Sequence, residues 1–338
     1  MNTSPRAMIR WLDIVCALIL AMVVVGGITR LTESGLSMVT WEPILGAVPP
    51  RGDAEWQMRF DQYRAYPEYQ ILNKTMTLRE FKFIYFWEYL HRLLGRLIGA
   101  AYAAPLLWFL LRRTARGRLA ALLVLGLVLG GLQGVVGWWM VKSGLNENPY
   151  VSPLRLAIHL GLALFVLSYL WWIRLRLSGV ESRPAAAPFR RNALAFLILL
   201  IVQILYGALV AGLDAGKMYN TFPLMGGRFI PPGFLRMDPA WLNIFENGTA
   251  VQWMHRTLAY LVLALAMHVW WHGLRGAVTT AQRKSLHTIG ALTLLQVALG
   301  ILTLLFHVPV WLGVAHQVNA AFLLLATVTL LFSAPSKN

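Results

Sequence analysis

Two stretches, FWEYLHRLLGR at 86–96 and VQWMHRTLAY at 251–260, each set a histidine and an arginine inside a long apolar run. His159 and His316 occupy further apolar runs. An ionisable side chain at membrane depth is costly and marks a candidate functional position. Neutral imidazole is an axial ligand for haem iron, and two imidazoles from facing helices can clamp one haem between them. Zinc is the rival metal, but it normally takes a third or fourth ligand, often cysteine or carboxylate. The second half of the chain offers no such ligand near His255 or His316. The reading is therefore two haem sites, one using His91 and His159 and the other using His255 and His316.

Glu88 stands three residues before His91, on the same helix face. The matched position before His255 is Gln252. A carboxylate beside a haem edge can accept a proton, orient water or stabilise a cation developing on a substrate. An amide only hydrogen-bonds. This asymmetry points to chemistry in the first half and a permanent cofactor in the second. The bland alternative for Glu88 is an ion pair with Arg92 or Arg96. Arg92 and Arg256 have two readings of equal standing, contact with haem propionates or snorkelling and pairing with a loop acid.

These residues need helices to position them, and the composition supplies helices that suit lipid. The 338 residues are 58% apolar and only 13% charged, which excludes an ordinary soluble domain. Eight segments exceed the roughly 20 apolar residues that span a bilayer, near 10–30, 81–111, 119–141, 153–173, 192–213, 247–272, 287–306 and 311–332. Measured from the outer boundary, the four histidines share a depth of roughly 9–12 Å at 1.5 Å per residue.

The net charge of +16 raises nucleic acid as a partner, but its distribution excludes that. Arginines gather before span 1 and in loops 2–3, 4–5 and 6–7, while Glu33, Glu42, Asp53, Glu55, Asp61 and Glu68 lie in the other loops. This is the positive-inside pattern of a multi-pass protein with both termini cytoplasmic. The first apolar run is long and lacks an A-x-A exit, so it reads as a retained helix. With no Arg/Ser-rich presequence before it, the bacterial cytoplasmic (inner) membrane is the expected location. Cys16 is the sole cysteine, so an intramolecular disulfide and a thiolate cluster are excluded.

Marks recur in order along the chain: RLTESGLS after span 1 and AGLDAGKM after span 5, His91-Arg92 and His255-Arg256, Gln133 with Gly137 and Gln296 with Gly300, His159 and His316. The expected fold is all-α, eight transmembrane helices in two pseudosymmetric four-helix bundles, with halves 1–176 and 192–338 and a cytoplasmic linker at 177–191. Their axis should run along the membrane normal. Thr77 to Glu80 reads as a capping box, and Ser152-Pro153 as an N-cap with an N1 proline. Asp238-Pro239 is expected to open a short loop helix in the same way. Trp56, Phe60 and Tyr63 share one face of a loop helix that either lies on the membrane surface or lids something beneath it, or packs only on its neighbours. Gly26, Gly27, Gly130, Gly131, Gly134 and Gly137 either leave room for a macrocycle or let helices pack closely.

With these residues in view, GGITRLTESGLSMVTWEPILGAVPP, EYLHRLLGR, LQGVVGWWMVKSGL, IHLGLALF, NTFPLMGG, QWMHR and AHQ together resemble the haem A synthase family, over about residues 11–332. The likeness is to the longer-loop type of proteobacteria and mitochondria. It implies oxidation of the C8 methyl of haem O to a formyl group, through two hydroxylations and a geminal diol that loses water, giving haem A. It implies haem b on His255 and His316, substrate haem on His91 and His159, and an essential glutamate at Glu88. Haem O synthase, an electron donor and a homo-oligomer are the protein partners it leaves open. The chain departs from some bacterial relatives in lacking a cysteine pair in the first outer loop, so no role for such a disulfide transfers. Two rivals remain: a bis-histidine b-type cytochrome subunit carrying electrons from quinol, and a transporter with parallel repeats. The transporter would need broken helices binding at the midplane, which the spans do not show.

Overall fold

The computed structural model describes residues 5–40, 45–146, 148–276 and 278–335; Glu42 lies outside them. Helices α1 (Pro5–Leu31), α2 (Gly52–Arg64), α3 (Leu78–Leu111), α4 (Gly117–Lys142), α5 (Pro153–Leu177), α6 (Ala187–Gly212), α7 (Gly248–Arg275), α8 (Thr280–Leu305) and α9 (Val310–Ser333) follow in that order. All but α2 are long and apolar enough to cross a membrane. The chain is an all-α, multi-pass integral membrane protein. The expected spans agree with these helices, except that α1, α6 and α8 start earlier than hydropathy alone indicates.

Local signals explain most helix ends. Thr77 accepts from the Glu80 amide at 3.3 Å and Glu80 accepts from the Thr77 amide at 2.7 Å, the reciprocal box expected. Ser152 caps α5 with Pro153 in the first turn. Thr279 and Gln282 form a second box that starts α8. Asp238 does not cap: the short 3-10 helix Ala240–Ile244 begins after Pro239 with no side-chain cap. Asn243 organises that turn instead, accepting from the Arg236 and Met237 amides and donating to the Met237 and Ala240 carbonyls. Pro105 inside α3 cannot donate to the Ala101 carbonyl, and the Trp11 indole N–H of α1 donates to that oxygen at 2.9 Å. The polar linker is shorter than expected, because α5 continues to Leu177 and α6 starts at Ala187. The Arg183 and Ala185 amides within it donate to the carbonyls of Ser333 and Pro335, pinning it to the C-terminal end.

Helices α1, α5, α6 and α9 meet along the middle, and α3, α4, α7 and α8 flank them. The shared core runs from Trp11, Leu12 and Val15 through Leu167, Leu170 and Phe196 to Ala266, Leu286 and Leu323. The recurring segments after α1 and α6 meet each other at the long-loop end. Arg30 pairs with Asp214 at 2.8 Å, and Lys217 bridges Asp214 at 3.1 Å and Glu33 at 3.7 Å. Glu33 and Asp214 both take positive φ, 53° and 49°, where their helices stop. The face of α2 carrying Phe60 and Tyr63 packs on Tyr69, Phe81, Ile84 and Tyr85, with Trp56 against the same cluster. That apolar face is thus covered by neighbouring residues of the chain.

Candidate paired-histidine sites

Each of the four histidines rests its ring against a glycine of an adjacent helix. His91 of α3 meets Gly26 of α1, His159 of α5 meets Gly137 of α4, His255 of α7 meets Gly207 of α6, and His316 of α9 meets Gly300 of α8. A Cβ on those glycines would lie 3.0, 2.8, 3.2 and 2.9 Å from the imidazole Cε1. Gly26, Gly137, Gly207 and Gly300 thus let a histidine ring lie close against the neighbouring helix. Gly130, Gly131 and Gly134 do not share this role, because a Cβ on any of them would meet nothing within 4 Å. His159, His255 and His316 fall in the second turn of their helices. His91 falls in the fourth turn of α3, whose first turns extend outward to pack against α2.

The rings of His255 and His316 have centroids 6.4 Å apart and planes at 73°. Two imidazoles gripping one metal from opposite sides, at about 2 Å per bond and roughly 1 Å from nitrogen to ring centre, need centroids about 6 Å apart. The spacing fits one shared metal ion. Among the described residues no three His, Cys, Asp or Glu side chains converge as a metal-binding group. Two facing imidazoles are fewer donors than a structural zinc normally takes.

Three of the histidines have a glutamine amide that bonds to the backbone carbonyl and lies nearly as close to one ring nitrogen as to the other. The Gln133 side chain donates to the His159 carbonyl at 3.0 Å and lies 3.2 Å from its Nδ1. Gln203 does the same at His255, at 3.1 and 3.2 Å, and Gln296 at His316, at 3.0 and 3.2 Å. Each glutamine sits one helical turn before the glycine that receives the ring. Sequence reasoning paired Gln133 with Gly137 and Gln296 with Gly300 but missed Gln203 with Gly207, although the same Q-x-x-x-G spacing is present.

Glu88 is buried, at 3% exposure. Its Oε2 accepts from the Ser37 hydroxyl and the Met38 amide, both at 2.7 Å, and its Oε1 accepts from Arg92 at 2.6 Å. Arg92 also donates to the carbonyls of Met38 at 2.7 Å and Thr40 at 3.0 Å. The ion pair with Arg92 is therefore present. In the other half Arg256 donates to the carbonyls of Tyr219 at 2.6 Å and Thr221 at 2.8 Å, and Gln252 donates to Tyr219 at 3.0 Å. Both pairs fasten a histidine helix to the loop above it. They differ in charge and in what is left over: the Arg256 Nε and the Gln252 Oε1 are buried without a partner among the described residues. His268, with Asn192 at 3.0 Å, and His287, 3.5 Å from the Trp270 indole, have other partners, toward the opposite ends of α7 and α8.

Residues 9–328 match the family described as cytochrome oxidase assembly protein (COX15-CtaA). The chain is 50% identical to the heme A synthase of Azorhizobium caulinodans, over 96% of this chain and 93% of the relative. It is 47% identical to that of Parvibaculum lavamentivorans, over 94% and 92%. It is 44% identical to that of Nitrosomonas eutropha, over 96% and 92%.

Proposed function

The chain belongs to the cytochrome oxidase assembly family of haem A synthases, and on that premise we propose that it oxidises the C8 methyl of haem O to a formyl group by successive hydroxylations. The observation that carries the reading is the pair of rings at 6.4 Å, set in glycine notches that recur at the other two histidines. In this reading the first four spanning helices hold the substrate between His91 and His159, and the last four hold haem b between His255 and His316. Bound there, haem b supplies one-electron exchange with the substrate site.

The chain's own residues then have distinct tasks. Gln203 and Gln296 donate to the backbone carbonyls of His255 and His316, bracing the helix turns that carry the imidazoles that would hold haem b. Arg256 offers its buried, unpartnered Nε–H to a propionate carboxylate. In the first half Arg92 holds Glu88 in place, and the tether to Ser37 and Met38 closes the outer loop over it. So placed, Glu88 would stabilise positive charge developing at the methyl carbon or take the proton of the attacking water, with the two electrons of each hydroxylation passing to an oxidant such as dioxygen. Arginines in the first turns of α1, around the α3–α4 and α5–α6 connections, and at the facing ends of α7 and α8 support cytoplasmic termini in a bacterial inner membrane. A haem O synthase and an electron donor are the partners this chemistry calls for.

The test is Glu88→Gln. The variant should keep its haem b and accumulate haem O or its alcohol. A normal yield of haem A would remove Glu88 from the chemistry, and two unaltered b-type haems in the wild type would favour the quinol-oxidising cytochrome.

A further inference from the structure

The two halves differ in the cations they present near their histidines. Arg256 keeps a buried Nε–H with no partner among the described residues, whereas Arg92 commits both terminal nitrogens to Glu88, Met38 and Thr40. A carboxylate arriving at the first half therefore needs another cation, and α5 carries one. Arg155 stands four residues before His159, one turn nearer the long-loop end and on the same helix face. The matched position, four residues before His316, is Leu312.

Helix α4 fixes where the Arg155 side chain lies. One guanidinium nitrogen donates to the Trp139 carbonyl at 2.9 Å, and the group lies over the Trp139 indole, 4.5 Å from the ring centroid. Two residues earlier on α4, Gly137 receives the His159 ring. Arg155 thus bridges the same seam between α4 and α5 that the imidazole fills one turn below. Stacking covers a face of the guanidinium and leaves edge N–H groups, the ones that grip a carboxylate. The residue is half-buried. No Asp or Glu among the described residues pairs with it.

We propose that Arg155 binds a propionate carboxylate of the porphyrin held in the first half, a substrate contact with no counterpart in the second. The inference rests on the proposed substrate site and deepens it. Water competes for a half-exposed guanidinium more than for a buried one. The Arg155 contact therefore suits a porphyrin that arrives and departs, and the buried Arg256 suits one that stays. In haem O the C8 methyl shares its pyrrole ring with a propionate, so a held carboxylate also restricts where that methyl can lie.

The experiment titrates the full-length protein in lipid, with its second-half haem bound, and follows optical difference spectra. The two probes are haem O and haem O with both propionates esterified. Wild type should bind haem O about tenfold or more tightly than the diester, the order supplied by one hydrogen bond between charged groups. Arg155→Gln should remove most of that preference by weakening haem O alone, since glutamine keeps a donor for the Trp139 carbonyl. Lys142→Gln is the control and should change neither affinity: Lys142 is exposed near the same rim but lies about 140° round α4 from Gly137. Haem retained at His255 and His316 checks that each variant is folded. Equal affinity of wild type for the acid and the diester, as expected if Arg155 only holds a lipid phosphate, would overturn the proposal without any variant. So would a preference that survives in Arg155→Gln, an equal loss for both porphyrins there, or an effect of Lys142→Gln as large as that of Arg155→Gln. Wild type that takes up neither porphyrin in the first half would overturn the site reading itself.

Discussion

A single methyl group at Gly300 tests the packing logic of the sites. In Gly300→Ala the new Cβ would lie 2.9 Å from the His316 Cε1. Carbon atoms settle at about 3.5–4.0 Å, so the ring, the helix or both must give by roughly half an ångström. The ring has little freedom, because Gln296 holds the residue from one side and Asn319 donates to the Gln296 Oε1 at 2.6 Å. Metal–ligand distances tolerate only about 0.2 Å. The displacement therefore exceeds what one axial bond absorbs, and haem b affinity should fall by about 10- to 100-fold, the usual effect of disturbing a ligand's support. The assay is haem b per polypeptide after purification, with the low-spin spectrum of bis-imidazole iron as a second readout. Gly130→Ala and Gly134→Ala are the controls, since a Cβ there meets nothing within 4 Å. Full low-spin haem b in Gly300→Ala, or equal loss in the controls, would refute the account of the glycines as ring clearances.

Other expectations concern the long-loop end. Glu68 is buried, and burial pushes its carboxyl up from 4.5 to about 8; the Tyr63 hydroxyl opposes this, and Glu88 and Glu33 add to it. The native state thus keeps a proton that the unfolded state has lost, so stability should decline as pH rises from about 4.5 to about 8, by up to roughly 4–5 kcal/mol. Glu68→Gln should flatten that dependence in proteolysis of the first long loop across this range, and an unchanged slope would contradict the assignment. Partial burial raises the Asp214 carboxyl, but Arg30 and Lys217 beside it outweigh this and hold it below 3.8. Its contribution is therefore present at neutral pH and is lost as pH falls through the lowered value. Asp214→Asn should cost no more than about 1 kcal/mol at pH 7, as befits a partly exposed pair, and the difference from wild type in thermal unfolding should vanish in acid.

Much of this arrangement is legible in the sequence, for identifiable reasons. The eight spans follow from apolar length alone, and the Thr77 and Ser152 caps from local chemistry that tertiary contacts do not override. The histidines stand out because lipid makes ionisable groups rare. The Asp238-Pro239 cap failed because the short helix starts one residue later, after Pro239, and Asn243 organises the turn through the Arg236 and Met237 amides. The glycines on α4 could not be sorted by composition, since Gly137 faces a ring while Gly130 and Gly134 face open space. Gln203 was readable from its spacing to Gly207, but only once the contact at Gln133 and His159 gave that spacing a meaning. The deep placement of Glu68 has no sequence signal, because a glutamate in a polar loop is ordinarily solvated.

The central claim is that paired imidazoles hold a permanent haem in one half and a haem substrate in the other. The most direct measurement is to supply haem O to the purified, reduced protein in lipid with oxygen, then extract and separate the pigments by chromatography and mass. The account predicts one retained haem b per chain and conversion of haem O through its alcohol to the formyl product. Unaltered haem O beside two haem b, or pigment that survives replacement of both His255 and His316, would contradict it.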